Sequence, residues 1–339
     1  MNAIIENPPE AEWGELIKRP GLNSENLFQT VSEIINTVKV EGDFAVKNYS
    51  LKFHDFAPED LWVTEEEIAN SKKAIDKNLK KAILLAKKNI EKFHKQQVGT
   101  IKKIETSHGV FCWRKSVAIG KVGLYIPGGS APLFSTLLML AIPAKLAGCK
   151  KIIVTTPANK NGNVDLAILF VANILGIENI YKGGGAQAIA ALAYGTQTVE
   201  KVYKIFGPGN QYVTAAKKIV NNDGVAIDML AGPSELAVYA DKTCVPAYVA
   251  ADLLSQAEHG ADSQVILVAV NQQIIKNVIL EIHKQLPSLS RKEIIEKSFL
   301  NRRFIVMKNV DDAFDFLNNY APEHLIIASE NAEKLAEKV

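Results

Sequence analysis

The sequence predicts an α/β protein made of two tandem αβα units with mostly parallel sheets, preceded by an N-terminal helical region. Three observations carry that prediction. From about residue 117 onward, short β-branched runs alternate with helical patterns, the grammar of βαβ units. Several of these runs close on glycine-bearing turns. The 339 residues, 47% hydrophobic and 22% charged, suffice for two buried cores and are unlike a disordered or fibrous composition.

Residues up to about 116 read mainly as helix. The clearest period there is Ile75, Leu79, Ala82, Ile83, Ala86, Ile90 and Phe93, one apolar stripe on a long helix. Lysines 72, 73, 77, 80, 81, 87, 88 and 92 cover its other faces, a pattern that can meet nucleic acid but more often meets solvent. Strands are expected at 121–126, 151–155, 179–182 and 201–205, with a further run at 225–228. After Ser234 come strand 236–240, helix 246–258, strand 264–269, a helix from 272 to about 284 and a helix at 291–297. Strand 303–307, helix 310–318, strand 325–328 and a last helix from about 331 complete the series.

The charge balance, 39 Lys and Arg against 37 Asp and Glu, leaves +2 and points to a small-molecule partner rather than nucleic acid or a membrane surface. Cys112, Cys149 and Cys244 are odd in number and form no CxxC pair, which argues for a reducing compartment. The opening MNAIIENPPEAEW has no basic stretch followed by an apolar one, so a cytoplasmic location is expected. The most apolar runs, 133–147 and 166–177, are too short or too interrupted to span a bilayer.

Four turns of the first unit contain glycine: Pro127-Gly128-Gly129, Gly183-Gly184-Gly185, Gly207-Pro208-Gly209 and Gly232-Pro233. In a parallel sheet the crevice outside the strand C-termini is where ligands bind, and glycine lets the backbone approach them, although tight βα turns need glycine too. Gly183, Gly185 and Ala188 match GxGxxA, but no acid follows at the distance where a ribose would be held. Tyr125, Gln187 and Asn210 place polar side chains in these turns, where an amide can cap a helix or bind a ligand.

In the second unit Gln256 and His259 stand three residues apart at the end of a helix, on one face. Such a pair can clamp a metal; a histidine there can also simply complement the helix dipole. Glu323 and His324 lie in a turn just before a strand, and a neighbouring carboxylate and imidazole can accept a proton or activate water near neutral pH. Ser234, the Gln256/His259 turn and Glu323-His324 all precede strands. If those strands are parallel, the three groups fall on one sheet edge.

The runs VGLYIPGG (122–129), GGAQAIAA (184–191), GPGNQYV (207–213), AGPSE (231–235), LLSQAEHG (253–260) and APEHL (321–325) together closely resemble the histidinol dehydrogenase family, in the same order and spacing. The resemblance implies two Rossmann-like (incomplete) units in a zinc-dependent, NAD-linked homodimer. Such an enzyme oxidises L-histidinol through the aldehyde to L-histidine with two NAD. It implies that Tyr125, Gln187 and Asn210 contact NAD and that Ser234 contacts substrate. Gln256 and His259 become zinc ligands that also hold substrate. His324, also in contact with substrate, becomes the general base, and Glu323 activates the water that attacks the aldehyde.

The family's remaining zinc ligands, an Asp and a His, come from beyond the APEHL run, and no residue of this sequence can be assigned to them. Weak zinc binding and little turnover are therefore expected of these 339 residues. The alternative is a non-catalytic α/β protein that binds NAD or another ligand and has lost the metal site. The partition expected is an arm at 1–24, a discontinuous domain of 25–116 with 235–339 carrying the metal and catalytic residues, and an inserted NAD-binding domain at 117–234.

Overall fold

Alternation of β-branched runs with amphipathic helices produces two five-stranded sheets, each parallel throughout. The computed structural model describes residues 4–20, 24–54, 56–128, 133–229 and 234–339. Gly129 and the Gly232-Pro233 turn lie outside the described residues. The chain divides into two units, 1–22 with 232–339, and 23–231.

The N-terminal segment contributes strand β1 (Ile4–Glu6) and helix α1 (Glu10–Leu16), whose Trp13 is buried and meets Phe316 edge to face at 5.4 Å. Four helices follow in the other unit: α2 (Ser24–Glu41), α3 (Asp43–His54), α4 (Glu65–Ala74) and α5 (Lys77–Lys95). The long stripe expected from Ile75 is split between two of them. Ile75 closes α4 with extended backbone, and the Asp76 carboxylate accepts from the Asn78 and Leu79 N–H groups at 2.9 Å to start α5. Thr64 and Glu67 start α4 with a reciprocal capping box. The 100–116 stretch departs from the helical expectation: β2 (Ile104–Ser107) and β3 (Val110–Cys112) form an exposed antiparallel hairpin, turned by Gly109 at φ +75°.

The first large sheet then follows in chain order: β4 (Lys121–Tyr125), α6 (Phe134–Leu146), β5 (Lys151–Thr155), α7 (Leu166–Leu175), β6 (Ile180–Tyr181), α8 (Gly185–Tyr194), β7 (Lys204–Phe206), α9 (Gln211–Asn222) and β8 (Ala226–Ile227). Its strand order is β6-β5-β4-β7-β8, so successive connections run outward from β4 in one direction and then the other. The switch point therefore lies between β4 and β7.

The expected partition is corrected here, because residues 25–116 belong with this sheet and not with the strands from residue 235 onward. Val31, Ile34, Ile35 and Val38, one face of α2, are buried in a core with Ala188 and Leu192 of α8 and Val213 and Val220 of α9. On the other side Ile68, Ile75 and Ile83 join Leu138, Phe170 and Val154. Each such aliphatic side chain contributes about 1.5–3 kcal/mol on burial, so the N-terminal helices are covering layers of this unit.

The second large sheet contains β9 (Glu235–Ala240), α10 (Pro246–Ala257), β10 (Gln264–Ala269), α11 (Gln272–Gln285), α12 (Lys292–Ser298), β11 (Arg303–Val306), α13 (Val310–Tyr320), β12 (His324–Ala328) and α14 (Ala332–Ala336). Its order is β1-β11-β10-β9-β12. The strands β9 and β10 are buried at every residue, as the near-continuous apolar runs of a parallel sheet covered on both faces require. No helix among the described residues is long and apolar enough to cross a membrane.

Candidate active site

Parallel register brings the predicted residues of the second unit to one edge. Gln264 is level with Glu235, and His324 is level with Leu236, so β9, β10 and β12 all start at the same height. The Gln264 N–H donates to the Ser234 carbonyl at 3.1 Å, which fixes Ser234 at that edge. Gln256 is buried in the last turn of α10, and the His259 N–H donates to its carbonyl at 3.2 Å. His259 is exposed, and the chain then runs through Gly260 to the start of β10, so this turn lies next to the N-terminus of that strand.

His324 is half exposed, and its Nδ1 lies 3.2 Å from the Glu235 carbonyl and 3.7 Å from the Glu323 carboxylate. A carbonyl can only accept, so Nδ1 carries the proton in that bond and Nε2 is left as the basic nitrogen. The Glu323 N–H donates to the Glu235 carboxylate at 3.0 Å. One residue therefore touches both members of the Glu323-His324 pair.

Beneath them lies a network that the sequence patterns did not single out. Arg19 donates from Nε and Nη2 to the two Glu235 carboxylate oxygens at 2.6 and 2.8 Å. The Tyr320 hydroxyl donates to Glu235 at 3.1 Å and contacts the Gln264 amide oxygen at 2.9 Å. Burial pushes the Glu235 carboxyl up, but the bonds from Arg19, the Glu323 N–H and Tyr320 outweigh it and hold the group below its ordinary range. Burial, with the neighbouring Glu235 charge, pushes the Tyr320 hydroxyl up. The available signal was the polar residue opening each apolar strand run, Glu235 in ELAVYA and Gln264 in QVILVA.

In the other unit Tyr125, Gln187 and Asn210 line the C-terminal side of the sheet. Tyr125 ends β4, is buried, and accepts the Gly185 N–H on its hydroxyl at 3.1 Å; burial raises its pKa. Gln187, in the first turn of α8, is fully buried, and neither end of its amide has a hydrogen-bond partner. Asn210 uses Oδ1 to cap α9 through the Tyr212 and Val213 N–H groups, which leaves its amide nitrogen for a ligand. Gly207, at φ +132°, passes so close to Tyr125 that a Cβ would lie 2.1 Å from the Tyr125 carbonyl oxygen. Buried Lys217, also missed from sequence, donates to the Gly207 carbonyl at 2.8 Å and pairs with Asp228, which accepts the Gly207 N–H at 2.7 Å.

A dinucleotide fits this second constellation, because an unpartnered buried amide and a glycine turn stand beside the switch point of a parallel sheet. Zinc fits less completely. Gln256 and His259 are two donors, and no cluster of three His, Cys, Asp or Glu occurs among the described residues.

The family model described as histidinol dehydrogenase matches residues 17–339. The chain belongs to the histidinol dehydrogenase family. It is 55% identical to the histidinol dehydrogenase of Bacteroides thetaiotaomicron over 339 residues, covering all of this chain and 79% of that protein. It is 50% identical to the histidinol dehydrogenase of Campylobacter jejuni, covering 99% of this chain and 78% of the relative. The crystal structure of histidinol dehydrogenase from Elizabethkingia anophelis superposes with a TM-score of 0.96 at 51% identity, over 99% of this chain and 78% of that one. Membership makes the chain an oxidoreductase of histidine biosynthesis acting on a small molecule. These relatives favour the enzyme over the non-catalytic alternative.

Proposed function

We propose that this chain, as one subunit of a homodimer, oxidises L-histidinol through its aldehyde to L-histidine with NAD, using His324 as base and Glu323 as the residue that activates water. The observation that carries the reading is the anchoring of His324. Its Nδ1 is committed to the Glu235 carbonyl, so Nε2 is the nitrogen free to accept a proton. His324 takes the proton from the alcohol oxygen as the carbinol carbon loses its hydride. Glu323, half exposed and adjacent, takes a proton from the water that adds to the aldehyde carbon. Ser234, Gln256, His259 and His324 hold the substrate. Tyr125, Gln187 and Asn210 hold the dinucleotide, with the amide of Gln187 gaining the partners that burial otherwise denies it. Bound NAD supplies the hydride acceptor for both oxidations. Gln256 and His259 are the donors this chain offers zinc; because they do not close a coordination shell, no step above depends on the metal.

The test compares His324→Asn and Glu323→Gln with the unmodified enzyme on L-histidinol and on the aldehyde, following NADH. His324→Asn is expected to lose about 10²–10⁴-fold in kcat on the alcohol. Glu323→Gln is expected to release aldehyde, captured with a carbonyl trap. Unchanged kcat for His324→Asn refutes the assignment.

A further inference from the structure

We infer that Arg19 and Glu235 are positioning residues that clamp the turn carrying Glu323 and His324 onto the sheet edge. This rests on the catalytic assignment proposed above. Arg19 stands 216 positions before Glu235 in the chain, yet its guanidinium makes a bidentate pair with that carboxylate. The same Nη2 donates to the Tyr320 carbonyl at 2.9 Å and the Ala321 carbonyl at 3.2 Å, and the guanidinium lies over the Tyr320 ring at 4.8 Å. One planar fork thus joins the start of β9 to the end of α13.

The segment it grips needs restraint. Ala321 has φ +45° and ψ +65°, the left-handed conformation that a residue with a Cβ avoids. Its backbone turns the chain out of α13, and Pro322, Glu323 and His324 follow directly. Arg19 holds Ala321 from one side. Glu235 holds the next residues from the other, its carboxylate accepting the Glu323 N–H at 3.0 Å and its carbonyl accepting His324 Nδ1 at 3.2 Å.

The Glu235 side chain is 7% exposed and accepts four hydrogen bonds, so its charge stays ionised and directional. Lysine cannot replace arginine here, because a single ammonium cannot span two carboxylate oxygens and two carbonyls in one plane. Displacing the turn by about 1 Å would misaim both the base and the water-activating carboxylate, an error worth up to about 10²-fold in rate.

Arg19→Lys and Arg19→Ala test the inference, since the Arg19 side chain is partly exposed and Arg19→Lys keeps a cation beside Glu235. Arg19→Lys is expected to lower kcat on histidinol about ten-fold or more with KM changed less than about two-fold, a split that marks lost alignment and not lost binding. Added guanidinium is expected to restore part of the activity of Arg19→Ala. Hydrogen exchange at the Glu323 amide, read by mass spectrometry or NMR, is expected to accelerate in both variants while the β9 and β10 amides keep their protection.

Wild-type kcat in both variants overturns the inference, as does a loss that guanidinium does not restore and that accompanies exchange throughout the sheet. His324→Asn and Glu323→Gln separate the two readings. If those two are inactive while the Arg19 variants work normally, only the clamp fails; if they remain active, the catalytic assignment has failed and the clamp falls with it.

Discussion

Lys217→Met removes the cation that braces the Gly207 turn. The Lys217 side chain is 5% exposed, and it bridges the Gly207 carbonyl and the Asp228 carboxylate. Methionine fills a similar volume but makes neither bond. An orphaned buried carbonyl is worth about 1–3 kcal/mol. A fully buried charge stranded without its partner is worth about 3–5 kcal/mol. Asp228 is 26% exposed and keeps the Gly207 N–H, so water and that donor reduce the charge penalty to about 2 kcal/mol. The sum is about 3–5 kcal/mol, a large share of the roughly 5–15 kcal/mol that holds a domain folded. Urea unfolding of Lys217→Met, Asp228→Asn and the double variant gives the coupling between the two sites. The double variant is expected to be less destabilised than the sum of the singles, because no charge is stranded in it. The Gly207 turn flanks Tyr125 and Asn210, so KM for NAD is expected to rise more than KM for histidinol. A loss below about 1 kcal/mol, or strict additivity, refutes the bracing role.

Three further outcomes are expected. The Glu235 carboxyl sits below its ordinary 4.5 in the folded chain, so its contribution is complete above that pH and fades as pH falls through the lower folded value; acid unfolding followed by circular dichroism should lose this pH dependence in Glu235→Gln. Ala321→Gly relieves the left-handed strain, and is expected to change stability by about +1 kcal/mol less the extra unfolded-state entropy of glycine, whereas Ala321→Val destabilises by more than about 1 kcal/mol in the same urea assay. Zinc added to a polypeptide of these 339 residues is expected to be lost on dialysis and to bind still more weakly in His259→Asn, as measured by elemental analysis; stoichiometric zinc surviving dialysis would show that donors beyond Gln256 and His259 are supplied.

Most of the α/β architecture was legible because each βα repeat writes its own boundaries. The run QVILVA is a strand at 264–269 as expected, and Pro246 opens its helix as the pattern requires. The alignment of Ser234, Gln256 and Glu323-His324 along one edge was also readable, since it follows from parallel strands alone. The destination of the N-terminal helices was not. Val31, Ile34, Ile35 and Val38 specify an apolar face, but nothing local specifies which of two sheets that face covers. Strand β1 escaped notice because three residues, IIE, carry no period and are ordered by pairing with β11 some 300 positions away. Arg19 escaped for the same reason: a lone arginine in a loop gains meaning only from a carboxylate that the fold brings to it.

The location of the proposed chemistry follows from what the beginning of a buried parallel strand needs. Residues inside β9 and β10 satisfy their backbone groups in the ladder and can be wholly apolar, but the first residues of each strand have neighbours on only one side. Those positions are therefore polar: Glu235 opens β9, Gln264 opens β10 and His324 opens β12. Their side chains supply what the ladder does not, as the Glu235 carboxylate does for the Glu323 N–H. An edge lined this way beneath a partly exposed histidine can hold that histidine in one tautomer. The Glu235 carbonyl does this, so the residue whose carboxylate completes the sheet edge also orients the proposed base.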